Sequence, residues 1–127
     1  MSVEVGKGLK ATFLVHFVVA AAFGLVFMLT PELFGSLADW PMQEPAVYRL
    51  VGAAMLGYGA SSWFSLKRSS WAEVRIVVLA EIVWTGLGAL VMLWGMLYAA
   101  LPPFGWVNTC ILAAFAVAFT VFYLKQR

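Results

Sequence analysis

Hydrophobic residues along this chain fall into four long runs, each bounded by prolines or cations. The first extends from about Leu9 to Leu29 and stops at Thr30-Pro31; the second extends from about Val47 to Leu66 and stops at Lys67-Arg68. The third covers about Ile76 to Leu101, ended by Pro102-Pro103, and the fourth about Phe104 to Leu124, ended by Lys125-Gln126-Arg127. A bilayer hydrocarbon core of roughly 30 Å takes about 20 apolar residues at 1.5 Å each, so every run is long enough to span. The expected fold is all-α: one transmembrane domain over residues 1–127, a polytopic four-transmembrane-helix bundle. Lys7 and Lys10 precede the first run as cations precede a signal peptide. Its length of about 19 residues exceeds the usual signal h-region, so a retained span is expected.

The first connection carries a pattern of its own. Thr30 can cap a helix, Pro31 suits the first helical position and Glu32 favours the first turn. Leu33, Phe34, Leu37 and Trp40 then recur at helical spacing, which predicts a short amphipathic interfacial helix in the first outer loop, ending near Asp39-Trp40-Pro41. It serves either as a partner-docking surface or as a plain interfacial anchor. Trp40 and Trp106 on one side, with Trp71 on the other, fit an aromatic belt.

Composition strengthens the membrane assignment. With 64% hydrophobic and 11% charged residues, the eight Lys/Arg and six Asp/Glu are too few to cover a soluble particle of 127 residues. The net charge of +2 follows from topology and does not imply nucleic acid. Lys7 and Lys10, then Lys67, Arg68 and Arg75, then Lys125 and Arg127 all fall on one side, and only Arg49 falls on the other. The positive-inside rule therefore predicts a multi-pass protein of the inner (plasma) membrane with both termini cytoplasmic (N-in/C-in). So strong a bias argues against dual topology.

Polar residues inside the runs are the candidates for function. Counted from Arg75, Glu81 lies about 9 Å along its helix; counted from Lys10, His16 lies about 9 Å along its own. Ser61, Ser62 and Thr120 fall at the same depth, so a polar intramembrane layer of His16, Glu81, Ser61, Ser62 and Thr120 is expected if these side chains face inward. A charge at mid-membrane costs roughly 3 kcal/mol on insertion scales, which pushes Glu81 toward the bundle interior or a partner. The expected partner is His16 or the serines. The pair would relay a proton, hold a polar ligand group, or simply fix helix packing. On the other side, Arg49 is expected to pair with Glu32, Asp39 or Glu44, near Asn108 and Thr109, with snorkelling to headgroups and an anionic ligand as alternatives. Ala53, Gly57 and Ser61, together with Gly88 and Gly95, mark faces for close helix packing within the bundle or between copies.

Other chemistry is thin. Cys110 stands alone in an apolar run, and the single histidine excludes bis-His haem ligation within one chain, so no metal site is expected and no cofactor is identified. No phosphate-binding glycine loop occurs and Ser61-Ser62 lacks a nucleophile context, so an enzymatic role is not expected. The six methionines and abundant aromatics suit a lipophilic ligand such as a quinone, lipid or pigment, and equally suit lipid-facing and core positions.

Pro31-Glu32-Leu33-Phe34 after the first run, followed by Pro45-x-x-Tyr48-Arg49-Leu50-x-Gly52-Ala53-Ala54 opening the second, resembles small bacterial four-helix membrane proteins of the DoxX-like or uncharacterised type. That resemblance covers the first two thirds of the chain and implies a four-helix membrane fold. DoxX-type proteins are associated with quinone-linked sulfur oxidation, but no catalytic residue can be matched here. The sequence therefore favours an accessory or scaffold component of a membrane assembly, partnered by the lipid bilayer and by other subunits or itself. A small proton-coupled transporter or channel using Glu81 with His16 is the alternative, and a lipophilic-ligand binder the third reading.

Overall fold

A computed structural model describes residues 3–127 as five α-helices and no strand. Four helices are long: α1 (Lys7–Leu29), α3 (Pro45–Leu66), α4 (Trp71–Tyr98) and α5 (Phe104–Gln126); α2 (Pro31–Leu37) is short. By length and composition α1, α4 and α5 are apolar enough to cross a membrane. Helix α3 has the length, but Arg49, its glycines, two tyrosines and three serines dilute its apolar character, and it does not join those three.

Helix ends follow local chemistry. Pro31 and Pro45 occupy the first turns of α2 and α3, where their missing N–H costs nothing. The Glu44 carboxylate accepts the Ala46 N–H at 3.4 Å and so caps α3. Thr30 was expected to cap α2. Its hydroxyl instead donates back to the Val26 carbonyl at 3.2 Å, closing the last turn of α1. Helix α4 begins at Trp71, ahead of the apolar run read from Ile76, because Trp71, Val74 and Val78 form a buried face while Glu73 and Arg75 point away. It stops at Tyr98, before Ala100 turns into the left-handed region at φ 51° and Pro102 bars continuation.

The long helices pack as two close antiparallel pairs, α1 with α3 and α4 with α5, and these pairs touch each other only sparingly. The α1–α3 seam depends on glycine. A Cβ on Gly52 would sit 2.6 Å from the Met28 backbone nitrogen and 2.7 Å from the Gly24 carbonyl oxygen, and one on Gly59 would sit 3.2 Å from the Ala20 Cβ. Ala53 and Gly57, expected at a contact within the bundle or between copies, are exposed and so are not at a contact within the bundle, and Gly57 has open space beside it. Small residues lie on both faces of α3, and the face that meets α1 is that of Gly52 and Gly59. Gly88 and Gly95 do lie against neighbours, namely Leu112 of α5 and Leu101 of the following turn.

Both termini lie at one end. Val5 donates to the Ser69 carbonyl at 2.8 Å, Trp71 donates to Val3 at 2.7 Å, and the Gly6 N–H donates to the Gln126 side chain at 2.9 Å. Just inside this end is the tight core of Leu9, Phe13, Trp71, Val74, Val78 and Phe119. Trp71 is buried there against Tyr123, with ring centroids 5.7 Å apart, and is not the interfacial belt residue expected. The far end is closed by rings. Phe34 of α2 packs on Phe27 at 4.6 Å and on Phe104 at 5.3 Å, while the Trp40 indole N–H donates to the Tyr48 hydroxyl at 3.1 Å. Of the apolar residues in α2, Phe34 faces inward while Leu33 and Leu37 are exposed.

Candidate ligand-binding site

Between the terminal core and the far-end ring cluster lie the polar residues of the interior. His16 is one turn beyond Phe13 on α1 and Glu81 one turn beyond Val78 on α4, so core periodicity carries both side chains inward. Glu81 is fully buried, His16 is 3% exposed and Ser62 fully buried. His16 Nδ1 and Ser62 Oγ share a 2.8 Å hydrogen bond, and His16 Nε2 lies 3.3 Å from Glu81 Oε2. With the ring proton on Nε2, Nδ1 accepts from the serine. That ring N–H does not point squarely at the carboxylate, so Glu81 Oε2 is the buried side-chain oxygen left without a hydrogen bond among the described residues. The imidazole is held edge-on by Phe115 at 4.8 Å and Phe119 at 5.6 Å, which fixes its orientation.

The rest of the expected layer divides. The Ser61 hydroxyl lies 2.7 Å from the Tyr58 carbonyl and 3.3 Å from Glu81 Oε1; it has one proton, so the carboxylate receives the weaker share. Thr85 is fully buried and donates to the Glu81 carbonyl at 2.6 Å. Thr120 gives its hydroxyl to Ala116 of its own helix at 2.7 Å and does not reach the cluster. Four of the five layer residues therefore meet, through α1, α3 and α4; Thr85, bonded like Thr120 to its own helix, lies one turn beyond Glu81.

Above the cluster is a cavity of about 150 Å³ between the helix pairs. His16 and Thr85 form its floor; Phe23, Phe27, Tyr58, Trp84 and Phe115 wall it, and Asn108 places an amide among them. The surface is almost wholly apolar with polar groups at separate heights. Asn108 is seven residues from Phe115, hence about 10 Å along α5 from the level of the imidazole. Depth along α5 puts Asn108 near the outer ion pair, but in the structure it lines this cavity. Sequence could place it by depth but not by direction.

The ion pair itself forms at the far end. Arg49 Nη2 meets Glu32 Oε1 at 3.0 Å while Nη1 donates to the Met28 carbonyl at 2.9 Å, so Arg49 also satisfies the open C-terminus of α1. Asp39 sits in the left-handed region at φ 52°, in the turn after α2, and Glu44 caps α3; neither is the partner found. Both Arg49 and Glu32 are exposed, so the pair contributes little beyond its capping role.

No family model, curated protein or solved structure matches this chain.

Proposed function

We propose that this protein is a four-span, N-in/C-in protein of the inner membrane that binds a lipophilic molecule with a polar end. The cavity between the helix pairs carries this reading: about 150 Å³, walled by aromatic rings and floored by His16 and Thr85. A cavity of that volume accommodates one six-membered ring, and polar groups set in an apolar wall orient a ligand rather than merely enclose it. The Asn108 amide and the Thr85 hydroxyl oxygen, which can still accept, offer hydrogen bonds at two heights, which suits a ring with polar atoms at both ends, such as the reduced head of a quinone or a related lipid or pigment head. Helix α3 spans in this reading despite its weaker hydropathy, because its polar side chains turn to α1 and α4 and its cation lies at the far end.

A proton-coupled transport role is supported by a different observation, the fully buried Glu81 with an unbonded oxygen 3.3 Å from an imidazole. An accessory role in a larger assembly rests on the short connections between helices. Two experiments separate the three. Native mass spectrometry after gentle extraction is expected to show the chain carrying a small lipophilic adduct that Asn108→Leu removes. Added polypeptide mass would favour the accessory role. A bare chain would count against ligand binding, and Glu81-dependent proton flux in proteoliposomes would then favour transport.

A further inference from the structure

We infer that the ligand is a long-chain amphiphile that enters sideways from the bilayer, its ring in the cavity and its hydrocarbon chain in the groove between α3 and α4, with the Tyr58–Trp84 stack as the wall it passes. The inference rests on the cavity reading above and adds a second subsite, an entry route and the chain. Three observations carry it. The cavity has no open axial end: the Phe13–Phe119 core lies below it, and the Phe27–Phe34–Trp40 rings lie above. The lateral sides are thin, because the α1–α3 and α4–α5 pairs are closely packed while α3 and α4, like α1 and α5, touch only sparingly. Most directly, Tyr58 and Trp84 line both the cavity and the outer groove, so their rings stand between the two compartments.

Their rings lie parallel, 5.1 Å apart at 6°. A stacked pair on two weakly coupled helices can part by rotamer change without breaking a backbone hydrogen bond. Beyond the stack the groove runs along α4 from Ile76 to Val91, about 22 Å at 1.5 Å per residue. An apolar strip of that length fits an extended hydrocarbon chain and not a compact solute. Its lining is almost wholly apolar, with the open flank of Gly57 widening it toward Ser61. Bilayer lipid would cover such a groove in any case; the inference is that this chain belongs to the molecule whose ring occupies the cavity.

The test uses para-hexadecylphenol with a diazirine at mid-chain, and para-ethylphenol as the same ring without the chain, on the full-length protein in phosphatidylcholine nanodiscs. Photolabelling is expected to concentrate on α3 and α4 residues of the groove. It should fall about tenfold when para-ethylphenol is added at ten times its own dissociation constant, as mass action requires. Ala80→Trp, which fills the exposed groove, should abolish that labelling while para-ethylphenol still gives protein-dependent saturation-transfer signals. Labelling spread over all bilayer-facing helices, or indifferent to para-ethylphenol, would overturn the inference and leave the cavity reading standing. Absence of any para-ethylphenol signal above empty nanodiscs would overturn the cavity reading, and the inference with it.

Discussion

At the scale of single residues the interior turns on His16, which ties α1 to Ser62 on α3 and approaches Glu81 on α4. Interhelical hydrogen bonds inside membranes average about 0.6 kcal/mol, and a buried polar group left unpaired costs about 1–3 kcal/mol more generally. His16→Ala is therefore expected to destabilise the protein by about 1–3 kcal/mol. Glu81→Gln keeps the shape and the Ser61 contact and should cost less, and Thr120→Val should cost almost nothing because its bond is to its own helix. Denaturant unfolding of the three variants in one detergent gives the order. A Thr120 effect as large as that of His16 would contradict the partition of the layer. Depth along a helix was readable from the sequence, since each residue adds 1.5 Å. Direction was not, and a threonine can always turn to the carbonyl four residues back, as Thr120 does.

At the scale of elements, the α1–α3 seam rests on Gly52 and Gly24 and not on Gly57. The atoms a Cβ on Gly52 would meet are backbone, which cannot swing aside. Gly52→Ala is expected to lose about 1–3 kcal/mol, the usual cost of overpacking. Gly57→Ala meets nothing and should be neutral or stabilising by up to about 1 kcal/mol, the helix-propensity difference between the two residues. Thermal unfolding of the two variants side by side checks the contrast; equal effects would place the seam elsewhere on α3. In the sequence, Ala53-Gly57-Ser61 and Gly52-Gly59 are both small-residue rows on one helix. Which row meets a neighbour depends on the rotation of α3, which its own sequence does not specify.

For the whole molecule, hydrogen bonds join Val5 to Ser69 and Gly6 to Gln126, so both termini and the α3–α4 connection share one end, and α2 lies at the other. On a Cys110→Ser background, a cysteine at Ser36 is expected to react with a membrane-impermeant maleimide in intact cells. Cysteines at Ser69 and Arg127 should react only after permeabilisation, following the positive-inside orientation. The reverse pattern would invert the protein without altering the fold. Labelling at all three positions in intact cells would argue against a single orientation.

Run length and punctuation in the sequence suffice to determine an all-helical chain with its long helices broken near Pro31, Lys67 and Pro102, because proline disfavours helix in the residue before it, Lys67-Arg68 ends an apolar run, and apolar length sets what a bilayer can hold. The depth of His16 and Glu81 follows from the same arithmetic. Only the tertiary structure decided that His16 and Glu81 meet, that Trp71 is core, that Asn108 belongs to the cavity and that Gly52 forms the seam. Each of these depends on the rotation of one helix against another. In a chain that is apolar almost all round, the hydrophobic pattern distinguishes lipid-facing from core-facing sides only weakly, so packing geometry makes the choice.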